Sequence, residues 1–173
     1  QVVYTATAYD SADTSDGVTF SLVGTDAAAF SIDNDSGEVT LIADADYEVQ
    51  SQFSFTIVAT DGAGNASSKL VSLAINNLDE VAPSITSGDT ATAVDENSGA
   101  DQVVYTATAD DSADISAGVT FSLAGIDAAA FTIDASSGAV TLTDDPNYET
   151  QPSYSFTVIA TDSKDNISQQ AVT

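Results

Sequence analysis

The chain holds 173 residues, room for one or two domains of about 100–150 residues each, and sets 27 acidic residues against 2 basic ones for a formal charge of -25. A polyanion of that density repels nucleic acid and anionic lipid, which excludes both as partners, and it strains against itself until salt or bound cations relieve it. Cys, Met, Trp and His are all absent, so disulfides, zinc–thiolate sites and imidazole chemistry are excluded. The 43% of apolar residues, with Val, Ile, Phe and Tyr at regular intervals, argue for a packed core rather than disorder. There is no signal peptide and no apolar run near the ~18 residues of a membrane span, so no membrane insertion is expected.

Every segment reads as strand. Val3-Tyr-Thr-Ala-Thr-Ala8 alternates, and a loop carrying Asp10, Asp13 and Asp16-Gly17 follows. Val18-Thr-Phe-Ser-Leu22 alternates again and places Val18, Phe20 and Leu22 inward. Gly24 to Phe30 has the composition of one helical turn capped by Asp26. Phe30-Ser-Ile32 and Glu38-Val-Thr-Leu41 flank the hairpin turn Asp33-Asn-Asp-Ser-Gly37. Phe53 to Ala59 is the most apolar strand, and Leu70 to Ile75 is the last of the set. The series then starts again. Gln1-Val-Val-Tyr-Thr-Ala-Thr-Ala8 recurs as Gln102 to Ala109, an offset of 101 residues that runs without a gap to Ser72 and Thr173. Roughly 45 of the 72 aligned positions are identical, the mark of a recent duplication of a complete small domain rather than of a solenoid repeat.

The expected architecture is therefore all-β: two tandem Greek-key β-sandwich domains of about seven strands each, over residues 1–80 and 81–173. Residues 82–101 have no counterpart ahead of Gln1, and residues 73–81 none after Thr173. The chain reads as a piece of something longer, its first domain lacking an opening strand and its second a closing strand. Such sheet edges expose a monomer to end-to-end association.

The acidic residues gather in the loops: Asp10 with Asp13, Asp44 to Glu48, Asp61, and then Asp79 with Glu80 in the linker. The second copy repeats them as Asp110, Asp111 and Asp114, then Asp144 to Glu149, then Asp162. A single Asp in a turn is ordinary turn chemistry. The linker is harder to explain that way. Asp79 and Glu80 stand beside Pro83, which stiffens the exit, and bare carboxylates about 4 Å apart repel by roughly 1 kcal/mol per pair in water and more where water is excluded. Such a linker makes sense if a cation arrives. Oxygen ligands in sets of six to eight are what calcium takes, and no one loop supplies enough, so a site would be assembled from several.

These motifs, in this order, resemble the cadherin repeat. Asp46-Tyr47-Glu48 is similar to its Asp-x-Glu motif, Ala59-Thr-Asp61 with Gly64-Asn65 to its Ala-x-Asp segment, and Asn77-Leu-Asp79-Glu80 with Pro83 to its acidic linker. Asp95-Glu96-Asn97 resembles the Glu motif that opens a repeat, and Phe-x-Ile-Asp with Ser-Gly-x-Val matches the central hairpin. The Ala-rich, Lys-poor style resembles the cadherin-like repeats of giant bacterial surface adhesins. The resemblance implies calcium at the junction between repeats, held by Asp46, Glu48, Asn77, Asp79 and Glu80 from above and by Asp110, Asp111, Asp114 and Asp162 from below. Glu96, Asn147 and Glu149 would serve a further junction below, and Asp10, Asp13 and Asp61 one above. The chain departs from the usual pattern in its longer Asp111-Ser-Ala-Asp114 spacing, in Asn77 and Glu80 of the linker, and in Asn147 where the first copy has Asp46. One to three calcium ions are expected at the intact junction.

The function that this implies is a calcium-stiffened extender of a long extracellular adhesin at the cell surface, its partners the neighbouring repeats of the same chain. The alternative is a homophilic or polysaccharide-binding module, for which Tyr4, Tyr9, Tyr47, Tyr105, Tyr148 and Tyr154 could form a platform. Tyr4 and Tyr105 fall within alternating strands, however, and suit the core. Catalysis is not expected, since carboxylates on sandwich loops offer no cleft that sets two of them at a fixed separation. A metal-free immunoglobulin- or fibronectin-like sandwich is the alternative fold, and the clustered linker carboxylates speak against it.

Overall fold

The computed structural model describes residues 1–11, 17–115 and 118–173. Two compact units divide between Leu78 and Asp79.

In the first unit, alternation of apolar and hydroxylated residues sets β1 (Val2–Thr5), β2 (Val18–Val23), β3 (Phe30–Ile32), β4 (Glu38–Leu41), β5 (Gln52–Asp61) and β6 (Ala66–Ala74). β4 lies antiparallel between β1 and β3, and β5 lies antiparallel between β2 and β6. The two three-stranded sheets enclose Ala6, Phe20, Phe30, Val39, Phe55 and Ile57. The Phe30 ring stands 4.5 Å from that of Phe55 and meets Phe53 edge-on at 5.5 Å. Full burial of an apolar side chain of this size contributes about 1.5–3 kcal/mol, so this inner layer is what holds the sheets face to face.

The second unit repeats the plan with β8 (Gln102–Thr106), β10 (Thr120–Ala124), β11 (Phe131–Ile133), β12 (Ala139–Leu142), β13 (Phe156–Thr161) and β14 (Ile167–Val172). β12 lies between β8 and β11, and β13 between β10 and β14. Val140, Val158 and Val172 are fully buried between the sheets, with Leu142 and Phe156 nearly so. Two short strands are added, β7 (Ser84–Ile85) pairing with β9 (Ala109–Asp110). The chain then runs between the two sheets, where Thr92 N–H donates to Val104 O and Ala91 N–H to Thr173 O. Tyr105 is buried as expected, its hydroxyl donating to Ser87 Oγ at 2.7 Å. Its counterpart Tyr4 is half-buried, with the Lys69 ammonium 6.0 Å from the ring centre.

Two local expectations are corrected. A 3-10 turn does occupy Ala27–Ala29, but the Asp26 side chain does not cap it. That carboxylate instead accepts the Ser54 N–H at 2.7 Å, tying the turn to β5, and Asp127 does the same for Ser155 at 2.8 Å. A three-residue turn frees too few N–H groups to compete with a strand donor. The closing strand of the first unit also starts at Ala66 rather than Leu70, because β5 offers a ladder along its whole length and the polar run Ala66-Ser-Ser-Lys69 pairs with it.

The hairpin turn demands glycine for a reason that can be measured. Gly138 has φ +72°, and a Cβ there would stand 2.2 Å from Ala107 O. Ala107 N–H donates to Gly138 O at 2.8 Å, so the tight approach is also a hydrogen bond. Gly138→Ala should destabilise the second unit by at least about 1 kcal/mol, lowering its thermal midpoint by about 4 °C or more. An unchanged calorimetric midpoint would mean that the hairpin does not press on the chain after β8.

Candidate metal centre

Three loops of the second unit bring carboxylates to one point. Asp162 follows β13 and opens the turn to β14. Its Oδ1 accepts Lys164 N–H at 2.7 Å and Asn166 N–H at 3.0 Å, and its Oδ2 accepts the Asn166 amide at 2.9 Å. The turn closes through Asp165 at φ 68°, the left-handed region that Asp tolerates better than most residues; the same turn of the first unit uses Gly64. Asp111 follows β9 and is 9% exposed. Asp79 opens the unit and is also 9% exposed, with its carbonyl accepting the Asn166 amide at 3.1 Å. One oxygen each from Asp79, Asp111 and Asp162 lie within 4.8 Å of one another.

Asp79 carries the decisive detail. Both its carboxylate oxygens are buried and accept no hydrogen bond. A charged group taken from water needs a compensating donor or ion, and the neighbours here are two more carboxylates. Two oxygens bound to one calcium at about 2.3–2.6 Å stand no more than about 5 Å apart, so the trio fits around one such ion. Three hard oxygen donors suit calcium and not the soft metals that thiolates select.

The turn electrostatics point the same way. Burial pushes the Asp162 carboxyl up, but the amide and N–H of Asn166, the Lys164 N–H and the Lys164 charge together outweigh it and hold the carboxyl below its ordinary value. In the first unit the Asn65 side chain, then its N–H, lowers Asp61 against a smaller effect of burial. Both groups are thus ionised near neutral pH. A lowered folded-state value means that the stability these contacts contribute is complete above the unfolded carboxylate range and is lost as acid carries the pH through the lowered value.

The other candidate residues fall as follows. In the second unit Asp114 is half-buried and its carboxylate accepts Glu80 N–H at 3.4 Å, while Glu80 and Asp110 are exposed. Asp110 accepts Ser112 N–H at 3.0 Å, a turn contact. None of these three joins the trio. Glu96, Asn147 and Glu149 are exposed. Asn147 spends its side-chain oxygen on Thr150 N–H, as Asp46 does on Val49 N–H in the first unit. There, Glu48 is exposed and Asn77, Asp10 and Asp61 are half-buried. Asp13 lies outside the described residues. Asn166 was not singled out from the sequence, although the Asp-x-x-x-Asn spacing recurs at 61–65 and 162–166.

The Cadherin domain family matches residues 1–76 and 90–173. The chain belongs to the cadherin domain family. Cadherin domains are extracellular adhesion modules that in general bind calcium, and they are not enzymes. Protocadherin Fat 1 of Homo sapiens is 31% identical over 150 residues, 84% of this cadherin chain and 3% of its own length. Protocadherin Fat 2 of Mus musculus is 30% identical over 151 residues, 87% of this chain and 4% of its own. The chain therefore spans only a few per cent of these relatives. Among solved structures, human Protocadherin-24 EC1-2 superposes with TM-score 0.63 at 21% identity over 98% of this chain and 83% of its own, which speaks for the fold. Mouse Cadherin-23 EC22-24 gives 0.54 at 24% identity over 90% of this chain and 50% of its own. Among the described residues no helix is long and apolar enough to cross a membrane.

Asp79→Asn should act with opposite sign in the two cation conditions. In chelator it removes an unsatisfied buried charge and gives the neighbouring carboxylates an amide donor, raising stability by roughly 1–3 kcal/mol. In calcium it should fall below wild type. Thermal melts in both buffers check this, and a variant less stable than wild type in chelator would show that the buried carboxylate is not a liability.

Proposed function

We propose that the chain is a calcium-stiffened extender segment of a long extracellular adhesin, of the bacterial cadherin-like kind, which projects a distal binding tip and transmits force. The observation that carries this is the buried Asp79 carboxylate, donor-free and beside Asp111 and Asp162, at the place where one cadherin repeat passes into the next. The metal is calcium, ligated by Asp79, Asp111 and Asp162. Asp110 and Asp114 complete the lower set, and Asp46, Glu48, Asn77 and Glu80 contribute from the upper repeat and its linker. Asp10, Asp13 and Asp61 serve a junction above, and Glu96, Asn147 and Glu149 one below. Bound calcium would supply positive charge that turns repulsion among these loops into attraction, and binding only to the ordered form stabilises that form by mass action. The closely similar copies and the scarcity of basic residues support the bacterial reading and a longer array of like repeats.

A second reading, a homophilic or polysaccharide-binding module, draws on Tyr9 and Tyr148, which are 94% and 66% exposed. They lie in different units, so neither unit by itself presents them as a pair. Calcium titration, followed by melting and by small-angle scattering with and without chelator, separates the two. The extender reading expects a large rise in melting temperature with a stiffer particle, abolished for the most part by Asp79→Ala and reduced by Glu48→Ala. Calcium that alters neither property would sink it, and a carbohydrate screen would then test the second.

A further inference from the structure

We propose that Asn166 is the positioning residue of this centre: its side-chain amide holds Asp79 against Asp162 before any cation binds. The inference rests on the calcium reading of the same three carboxylates and assigns a residue that supplies no ligand atom.

A primary amide has two N–H donors on one planar nitrogen. The Asn166 amide donates to Asp162 Oδ2 at 2.9 Å and to Asp79 O at 3.1 Å. Its backbone is fixed as well, since Asn166 N–H reaches Asp162 Oδ1 at 3.0 Å and Asp162 N–H returns a bond to Asn166 O at 3.1 Å. Asn166 is thus clamped to one ligand and clamps the backbone of another. Without the ion, like charge drives Asp79 away from Asp111 and Asp162, and its own carboxylate accepts no hydrogen bond that would hold it. The amide-to-carbonyl bond opposes that drive. It is uncharged and spans 87 residues of sequence, so it sets where Asp79 enters the second unit without occupying a coordination position.

The first unit provides a matched comparison. Asn65 makes the same contacts inside its turn, to Asp61 Oδ2 at 2.8 Å and Oδ1 at 2.7 Å. Replacing Asn65 removes the turn contact alone, whereas replacing Asn166 removes that contact and the tie to Asp79. Partners of this second kind are worth about 10- to 100-fold in metal affinity.

The experiment compares wild type, Asn65→Ala and Asn166→Ala in the whole chain, by calorimetric titration with calcium, with terbium luminescence as a second probe. Amide hydrogen exchange at Glu80 in chelator is read in parallel. Asn166→Ala is expected to weaken the tightest site about tenfold or more and to speed exchange at Glu80, while Asn65→Ala leaves both as in wild type. The Glu80 readout needs no ion, and melting of Asn65→Ala reports the damage due to the turn alone. Wild type and Asn166→Ala binding equally, or exchanging equally at Glu80, would overturn the assignment and leave the calcium reading standing. A wild type that binds neither ion overturns the calcium reading and this one with it.

Discussion

Repulsion among the carboxylates of Asp79, Asp111 and Asp162 is the force against which the second unit is arranged. Each comes from a different loop, and oxygens of all three stand within 4.8 Å. Such a cluster persists without an ion only if the surrounding hydrogen bonds over-determine it. Those around Asp162 do so, because three donors converge on its two oxygens. Asp79 is different. Its position comes from its backbone, and its charge is left for something else to satisfy.

The rest of the fold keeps that tension out of the core. The described strands carry four charged side chains, Glu38, Asp61, Lys69 and Asp110, and all but Lys69 stand at strand ends. The inner faces pair Phe, Val, Leu and Ile, and the outer faces are largely Thr, Ser and Ala. A chain with a charge of -25 therefore packs its sandwiches without asking ions to help, and its self-repulsion is concentrated in the loops. Salt and divalent cations should act first on those loops and only indirectly on the sheets.

Much of this was legible before any coordinates. Alternation placed the strands, because a two-residue period has one face to bury. The duplication exposed the domain plan, and the cadherin-like motifs pointed to the loops that carry Asp79, Asp111 and Asp162. Local competition was harder to read. Asp26 and Asp127 have the look of helix caps, yet a backbone N–H 28 residues away, within β5 in the first copy and just ahead of β13 in the second, donates to the carboxylate. The polar start of β6 pairs because its neighbour is long, which no property of Ala66-Ser-Ser-Lys69 announces. Asn166 was hidden for a related reason. Its contact with Asp79 joins positions 87 residues apart, and within its own turn Asn166 does only what Asn65 does in the first copy, so from the sequence it reads as ordinary turn chemistry.

The division of the chain between Leu78 and Asp79 has a bearing on how such arrays grow. A repeat copied with Asp79 as its first residue carries the trio and the asparagine that orients it as one inheritable cassette. A recombination point placed a few residues later would leave Asp79 behind, and every new junction would then depend on whichever linker it happened to join. On the calcium reading, a unit that begins at this aspartate keeps its own three carboxylates together, and only the ligands proposed from the repeat above change with the neighbour.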